Sequence, residues 1–199
     1  LSMNSNTEGG CNVAIGAALQ SNTTGGNNVG IGFIALSNNT TASNNTAVGR
    51  SALQENTVGH SNTGIGQGAL QATTDGDQNT AVGNSALTAN TTASSNTAVG
   101  HDALKTNTTG GQNNAFGDGA MNTNTIGCRN IAMGSSALFS NTEGLCNTAL
   151  GHIAMYDNTT GDNNVAVGAD ALTNNTTASD NTAVGHQALL TSTTGANNT

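Results

Sequence analysis

The sequence predicts an all-β protein, a parallel β-solenoid (β-roll) of about eleven 17-residue coils. Three observations predict it. First, Asn-Thr-Ala-Val-Gly recurs at a fixed interval, closing at Gly16, Gly32, Gly49, Gly66, Gly83, Gly100, Gly117, Gly134, Gly151, Gly168 and Gly185. The first step is sixteen residues and the other nine are seventeen. A period this short belongs to stacked coils rather than to a globular domain. Second, the residues between the motifs keep register. Third, the composition lacks what a globular core needs: proline and tryptophan are absent, and Phe33, Phe116, Phe139 and Tyr156 are the only aromatic residues among 199.

The coil is numbered from its first asparagine. Position 1 is asparagine throughout, as at Asn45, Asn62, Asn79 and Asn96; position 3 is alanine or glycine, position 4 is apolar, and position 5 is glycine. These residues suit a short strand bounded by asparagine and glycine. Position 8 is always alanine and position 9 leucine or methionine, and a second short strand is expected over positions 8 to 10. A helix is too short there between its breakers. Position 12 is usually asparagine, and position 13 is threonine in every repeat, as at Thr57, Thr74 and Thr91. This Asn-Thr-Thr-Gly run is turn chemistry. Positions 6, 7, 10, 11, 16 and 17 vary, so they are expected to face water.

Stacking converts invariant positions into ladders. Coils about 4.7–4.9 Å apart let an asparagine pass hydrogen bonds to the asparagine above it. Asn45, Asn62, Asn79 and Asn96 are expected to form one ladder, and Thr57, Thr74 and Thr91 another. Val48, Leu53, Val82, Leu87, Val99 and Leu104 are the expected core. Adjacent residues of a strand point to opposite faces. Ala47 beside Val48, and Ala52 beside Leu53, therefore leave both faces small or apolar. One face lines the coil, and a second copy of the chain is the economical cover for the other.

Charge excludes some functions. Arg50, Lys105 and Arg129 are the only basic side chains, against a net charge of −8. Nucleic-acid binding needs basic stripes and is not expected. No apolar run is long enough for a transmembrane helix, so no membrane insertion is expected in this segment, and no leader pattern is visible. Leu1 falls within a repeat, and Asn198-Thr199 open another. Residues 1–199 are therefore expected to be a single repeat array cut from a longer fibrous chain.

The segment Asn45 to Leu53 resembles the Asn-Ser-Val-Ala-Ile-Gly-x-x-Ala signature of head repeats in YadA-like trimeric autotransporter adhesins. It also resembles the Asn-Thr-Ala-Val-Gly arrays of tail-fibre-like and bacterial surface proteins. The likeness runs the length of the chain, although the coil here is longer than the family's. It implies a left-handed β-roll, three chains side by side, and a place on a cell or virion exterior contacting host surface, matrix or carbohydrate.

Candidate chemistry is sparse. His101, His152 and His186 share position 6 with Arg50, but the nearest two lie two coils apart, and His60 lies elsewhere. Metal ligands must converge, so no metal or other cofactor is expected. Asp75-Gly76-Asp77 lacks the recurring acidic loop of calcium-binding repeats. Cys128 and Cys146 occupy nearly the same place on neighbouring coils. A disulfide there and two unpaired turn thiols are equal alternatives, and Cys11 has no partner within the chain. Asn22, Asn39, Asn90, Asn107, Asn158 and Asn175 begin Asn-Thr-Thr sequons and are candidate glycosylation sites, although the repeat itself also wants this turn.

No repeat couples a serine to histidine and aspartate, and no long carboxylate-bearing loop breaks the period. Catalytic residues are therefore not expected. The function expected is a structural and adhesive extracellular fibre segment. The alternatives are an ice-binding solenoid using the threonines of position 13, or a self-assembling filament subunit. Positions 13 and 14 point opposite ways on a strand, and Val58, Asp75, Ile126 and Glu143 interrupt position 14, which weighs against an ice face there.

Overall fold

Each Asn-Thr-Ala-Val-Gly motif forms one three-residue strand. In the computed structural model, which describes residues 2–199, these are β1 (Val13–Ile15), β2 (Val29–Ile31), β3 (Thr46–Val48), β4 (Thr63–Ile65), β5 (Thr80–Val82), β6 (Thr97–Val99), β7 (Asn114–Phe116), β8 (Ile131–Met133), β9 (Thr148–Leu150), β10 (Val165–Val167) and β11 (Thr182–Val184). They form one parallel sheet in chain order. Register is kept without a slip, with Thr46 opposite Thr63, Ala47 opposite Gly64 and Val48 opposite Ile65. At the usual spacing between paired strands, eleven rungs make a rod about 48 Å long.

The glycine of position 5 ends each strand. Gly117 has φ 135° and donates its N–H to Val99 O of the preceding coil at 2.8 Å. The Asn-Thr-Thr turn is stitched to the next coil by convergence. The N–H groups of Thr57, Val58 and Gly59 all point at Thr74 O, at 3.0, 3.1 and 3.3 Å.

Positions 8 to 10 form no strand, contrary to the sequence expectation. They lie in a turn in which the position 9 side chain has a left-handed backbone, with φ 50° at Leu53 and 51° at Leu87. The coils are still bonded there, because Leu53 N–H donates to Ala69 O at 3.0 Å. The turn removes the alternation that a strand would impose, so Ala52 and Leu53 are adjacent and both fully buried. A left-handed conformation costs a non-glycine residue about 1–2 kcal/mol. Burying a leucine returns about 1.5–3 kcal/mol, and truncating it would leave a void costing about 2–5 kcal/mol. Burial wins, which is why position 9 is leucine or methionine and never glycine.

The core is a column of alanines at positions 3 and 8 and leucines or methionines at position 9. Leu53, Leu87 and Leu104 are in it. Val48, Val82 and Val99 are not: they are half-buried, on the outer face of the sheet. The three-residue strand alternates, and Ala47, Ala81 and Ala98 take the inward place. Only alanine-sized side chains fit between the strand and the position 9 column, so the larger residue is sent outward.

Candidate functional site

The two predicted ladders exist, and each works through a side chain bonded to backbone. Asn45 Oδ1 accepts the N–H of Asn62, Asn62 Oδ1 that of Asn79, and Asn79 Oδ1 that of Asn96, at 2.9, 2.9 and 3.0 Å. The amide nitrogens reach across the coil: Asn45 Nδ2 donates to Gly59 O at 2.8 Å, and Asn62 Nδ2 to Gly76 O at 2.7 Å. These asparagines are fully buried, so each satisfies backbone groups that water cannot reach. Thr57 Oγ1 donates to Thr74 O, Thr74 to Thr91 O and Thr91 to Thr108 O, at 3.1, 3.3 and 3.2 Å. Their hydroxyl protons are therefore committed to carbonyls of the next coil.

A second asparagine ladder runs at position 12. Asn39 Nδ2 donates to Asn22 Oδ1 at 2.7 Å, Asn107 to Asn90 at 3.2 Å, and Asn175 to Asn158 at 2.8 Å. This corrects the glycosylation expectation. Asn22, Asn39, Asn90, Asn107, Asn158 and Asn175 are all fully buried, and a glycan on any of them would have to replace an interior hydrogen bond. The signal that could have found this ladder was the near-invariance of position 12, equal in kind to that of position 1.

The ladder fails where its residue changes. Asn56 Oδ1 and Asn175 Oδ1 are buried without a partner, and the residues one coil further on are Thr73 and Ser192. Neither side chain carries the amide donor found elsewhere in the row. Thr73→Asn is therefore expected to restore the missing bond and raise stability by about 1–3 kcal/mol. Thermal denaturation checks it; an unchanged or lower midpoint contradicts the ladder's energetic role.

The three cysteines are free. Cys128 and Cys146 are neighbours through the Cys146 N–H and Cys128 O, 3.1 Å apart, yet no disulfide joins them. Cys128 Sγ is turned to the preceding coil, where it accepts the N–H of Gly111 at 3.4 Å, whereas Cys146 belongs to the following coil. Two of the three histidines of position 6, His101 and His186, pair separately with carboxylates. His101 Nδ1 is 3.0 Å from Asp118 Oδ1, and His186 Nε2 is 3.7 Å from Asp170 Oδ2. Among the described residues, no group of three His, Cys, Asp or Glu side chains is placed to hold a metal ion, and no helix is long and apolar enough to cross a membrane.

The most distinctive surface is the outer face of the sheet. Positions 2 and 4 point outward on every rung, giving two rows about 6–7 Å apart at ordinary strand rise. Position 4 is an unbroken apolar row, with Ile65 40%, Met133 47% and Val184 70% exposed. Position 2 carries Thr46, Thr63, Thr80 and Thr97 on four consecutive rungs, and their hydroxyls bond to no other group among the described residues. Every Asp, Glu, Lys and Arg lies outside these two rows. The exclusion of charge could have been read from the repeat itself; the outward direction of the rows could not. No protein-family model matches the chain, no curated protein matches it, and no solved structure matches it.

Proposed function

We propose that this chain is a rigid segment of an extracellular structural and adhesive fibre, assembled as a homotrimer through the outer sheet face. The observation that carries this reading is the uncharged, largely apolar stripe running along all eleven rungs of an uninterrupted stack. A contiguous exposed apolar stripe of this length marks an association surface. A second copy matches it, because both copies repeat at the same rung spacing. The remaining faces carry the acidic charge and the variable side chains, and these are the faces left for display and attachment.

Light scattering behind a sizing column tests the assembly. The expected mass is three times the 19.5 kDa of the chain. The double substitution Val82→Lys with Val99→Lys is expected to give a monomer of unchanged circular dichroism. A monomeric parent protein would sink the trimer reading.

The free hydroxyls of Thr46, Thr63, Thr80 and Thr97 beside Val48, Ile65, Val82 and Val99 support a second reading. A flat, regularly spaced array of hydroxyl and methyl groups is suited to an ice surface. Thermal hysteresis from a monomer, abolished by Thr80→Lys, would favour ice binding over the trimer.

A further inference from the structure

Position 7 lies on another face of the rod. Its backbone is left-handed on each rung, with φ 59° at Ser51, 67° at Gly68 and 56° at Ser85. Gly68 therefore keeps the conformation of the row and removes only a side chain. A hollow of about 190 Å³ opens at that point, lined by Arg50, Ser51, Gln67, Gly68, Gln71 and Ser85. The lining is mainly polar. The volume is below the roughly 300–1,000 Å³ of drug-sized sites, which suits one ring-sized polar group.

Arg50 gives the hollow its charge preference. The other two basic residues are engaged: Lys105 Nζ with Asp102 at 3.0 Å, and Arg129 Nε with Gln112 at 3.2 Å. The Arg50 guanidinium pairs with no carboxylate among the described residues. The one carboxylate of its own coil, Glu55, accepts from Asn38 at 2.7 Å and from Gln54 at 2.9 Å, so it is held toward the preceding coil. A free guanidinium fork binds a carboxylate through two parallel hydrogen bonds. Gln67 and Gln71 offer both donors and acceptors, Ser51 adds a hydroxyl, and Ser85, whose Oγ donates to Asn84 Oδ1 at 3.0 Å, adds an acceptor. That set suits the hydroxyl-rich ring of a sugar.

We propose that the hollow at Gly68 binds a carboxylate-bearing sugar, a uronic acid, with Arg50 on the carboxylate and Gln67 and Gln71 on ring hydroxyls. This rests on the adhesive-fibre reading and names the ligand class for it. A neutral sugar leaves Arg50 unpaired, and an apolar ligand leaves Gln67 and Gln71 unpaired as well.

The test is a titration of the isotope-labelled protein with glucuronate and galacturonate, followed through its backbone amide resonances. The expected result is saturable shifts centred on Gln67, Gly68 and Gln71, with millimolar affinity and at least about tenfold weaker response to glucose. Arg50→Gln should weaken uronate binding by about tenfold. Gly68→Ser should abolish it, because it returns the residue found at Ser51 and Ser85 to the row. The fold should tolerate this, since a Cβ at Gly68 would meet nothing nearer than Gln71 Oε1 at 3.4 Å. Absence of uronate shifts, or shifts that survive Gly68→Ser, would overturn the proposal. A methyl sulfate response equal to that of the uronates would replace the carboxylate with a general anion and also overturn it. Light scattering on the same samples reports the oligomer separately, so failure of binding and failure of the fibre assembly are told apart.

Discussion

Gly117→Ala is expected to break the solenoid at its seventh rung. The φ of 135° is in a region that L side chains rarely adopt, and the backbone strain alone costs about 1–3 kcal/mol. The steric problem adds to it. A Cβ at Gly117 would stand 2.5 Å from Gly134 O and 2.7 Å from Gly134 C. Both are backbone atoms of the next coil and cannot swing aside. A loss of more than about 4 kcal/mol follows, at the extreme of single substitutions. Each coil touches only its neighbours, so the damage divides the rod, and limited proteolysis should release two resistant pieces joined near this rung. Gly119 is the control. Its φ is 63°, and a Cβ there would lie 3.4 Å from the Phe139 ring, so Gly119→Ser should cost no more than about 1–2 kcal/mol, the cost of a left-handed non-glycine residue. Equal sensitivity at the two glycines would show that the close approach of the coils is not what position 5 protects.

Asn96→Ala should be almost as damaging, for a polar reason. Asn96 is fully buried. Its Oδ1 accepts the N–H of Asn113 at 2.9 Å, and its Nδ2 donates to Gly110 O at 3.0 Å. Removing the side chain leaves a backbone donor and a backbone acceptor unpaired inside the stack. At about 1–3 kcal/mol for each orphaned group, the expected loss is about 2–6 kcal/mol. Thr97 is its neighbour and faces outward, so Thr97→Ala should stay within about 0.5 kcal/mol. Chemical denaturation of the two variants decides the point. Similar losses would mean that the asparagine ladder contributes no more than the sheet surface does.

These two residue types explain how a narrow coil without large side chains holds together. A single coil buries two alanines and one leucine or methionine of apolar core. The deficit is met by side chains that bond to backbone. Position 1 serves the strand entry, position 12 the turn, and position 13 the carbonyl of the next coil. Position 16 contributes a further row, in which Asp77 Oδ1 accepts the N–H of His60 at 2.7 Å and Ser94 Oγ that of Asp77 at 3.0 Å. That row tolerates variety because several side-chain types can accept this bond, and it is broken at Gly26, Gly111 and Leu145, which carry no side-chain acceptor.

The sequence by itself determined the architecture. A seventeen-residue period with asparagine, glycine and threonine at fixed offsets permits little but an in-register parallel stack, and the buried leucines and two of the hydrogen-bonded rows were legible from invariance alone. Periodicity reports which positions are constrained, but not which way a short segment points. Only the tertiary structure decided that. A left-handed backbone at Leu53 turned an expected strand into a bend and placed two successive apolar residues inside together. The tight approach of Ala47 to the leucine column sent Val48 outward, and with it a whole apolar row. The same closeness drew the sequon asparagines into the interior, where their amides bond from coil to coil. In each case the deciding quantity was the narrow width of the coil, a property of the stacked chain and of no single repeat.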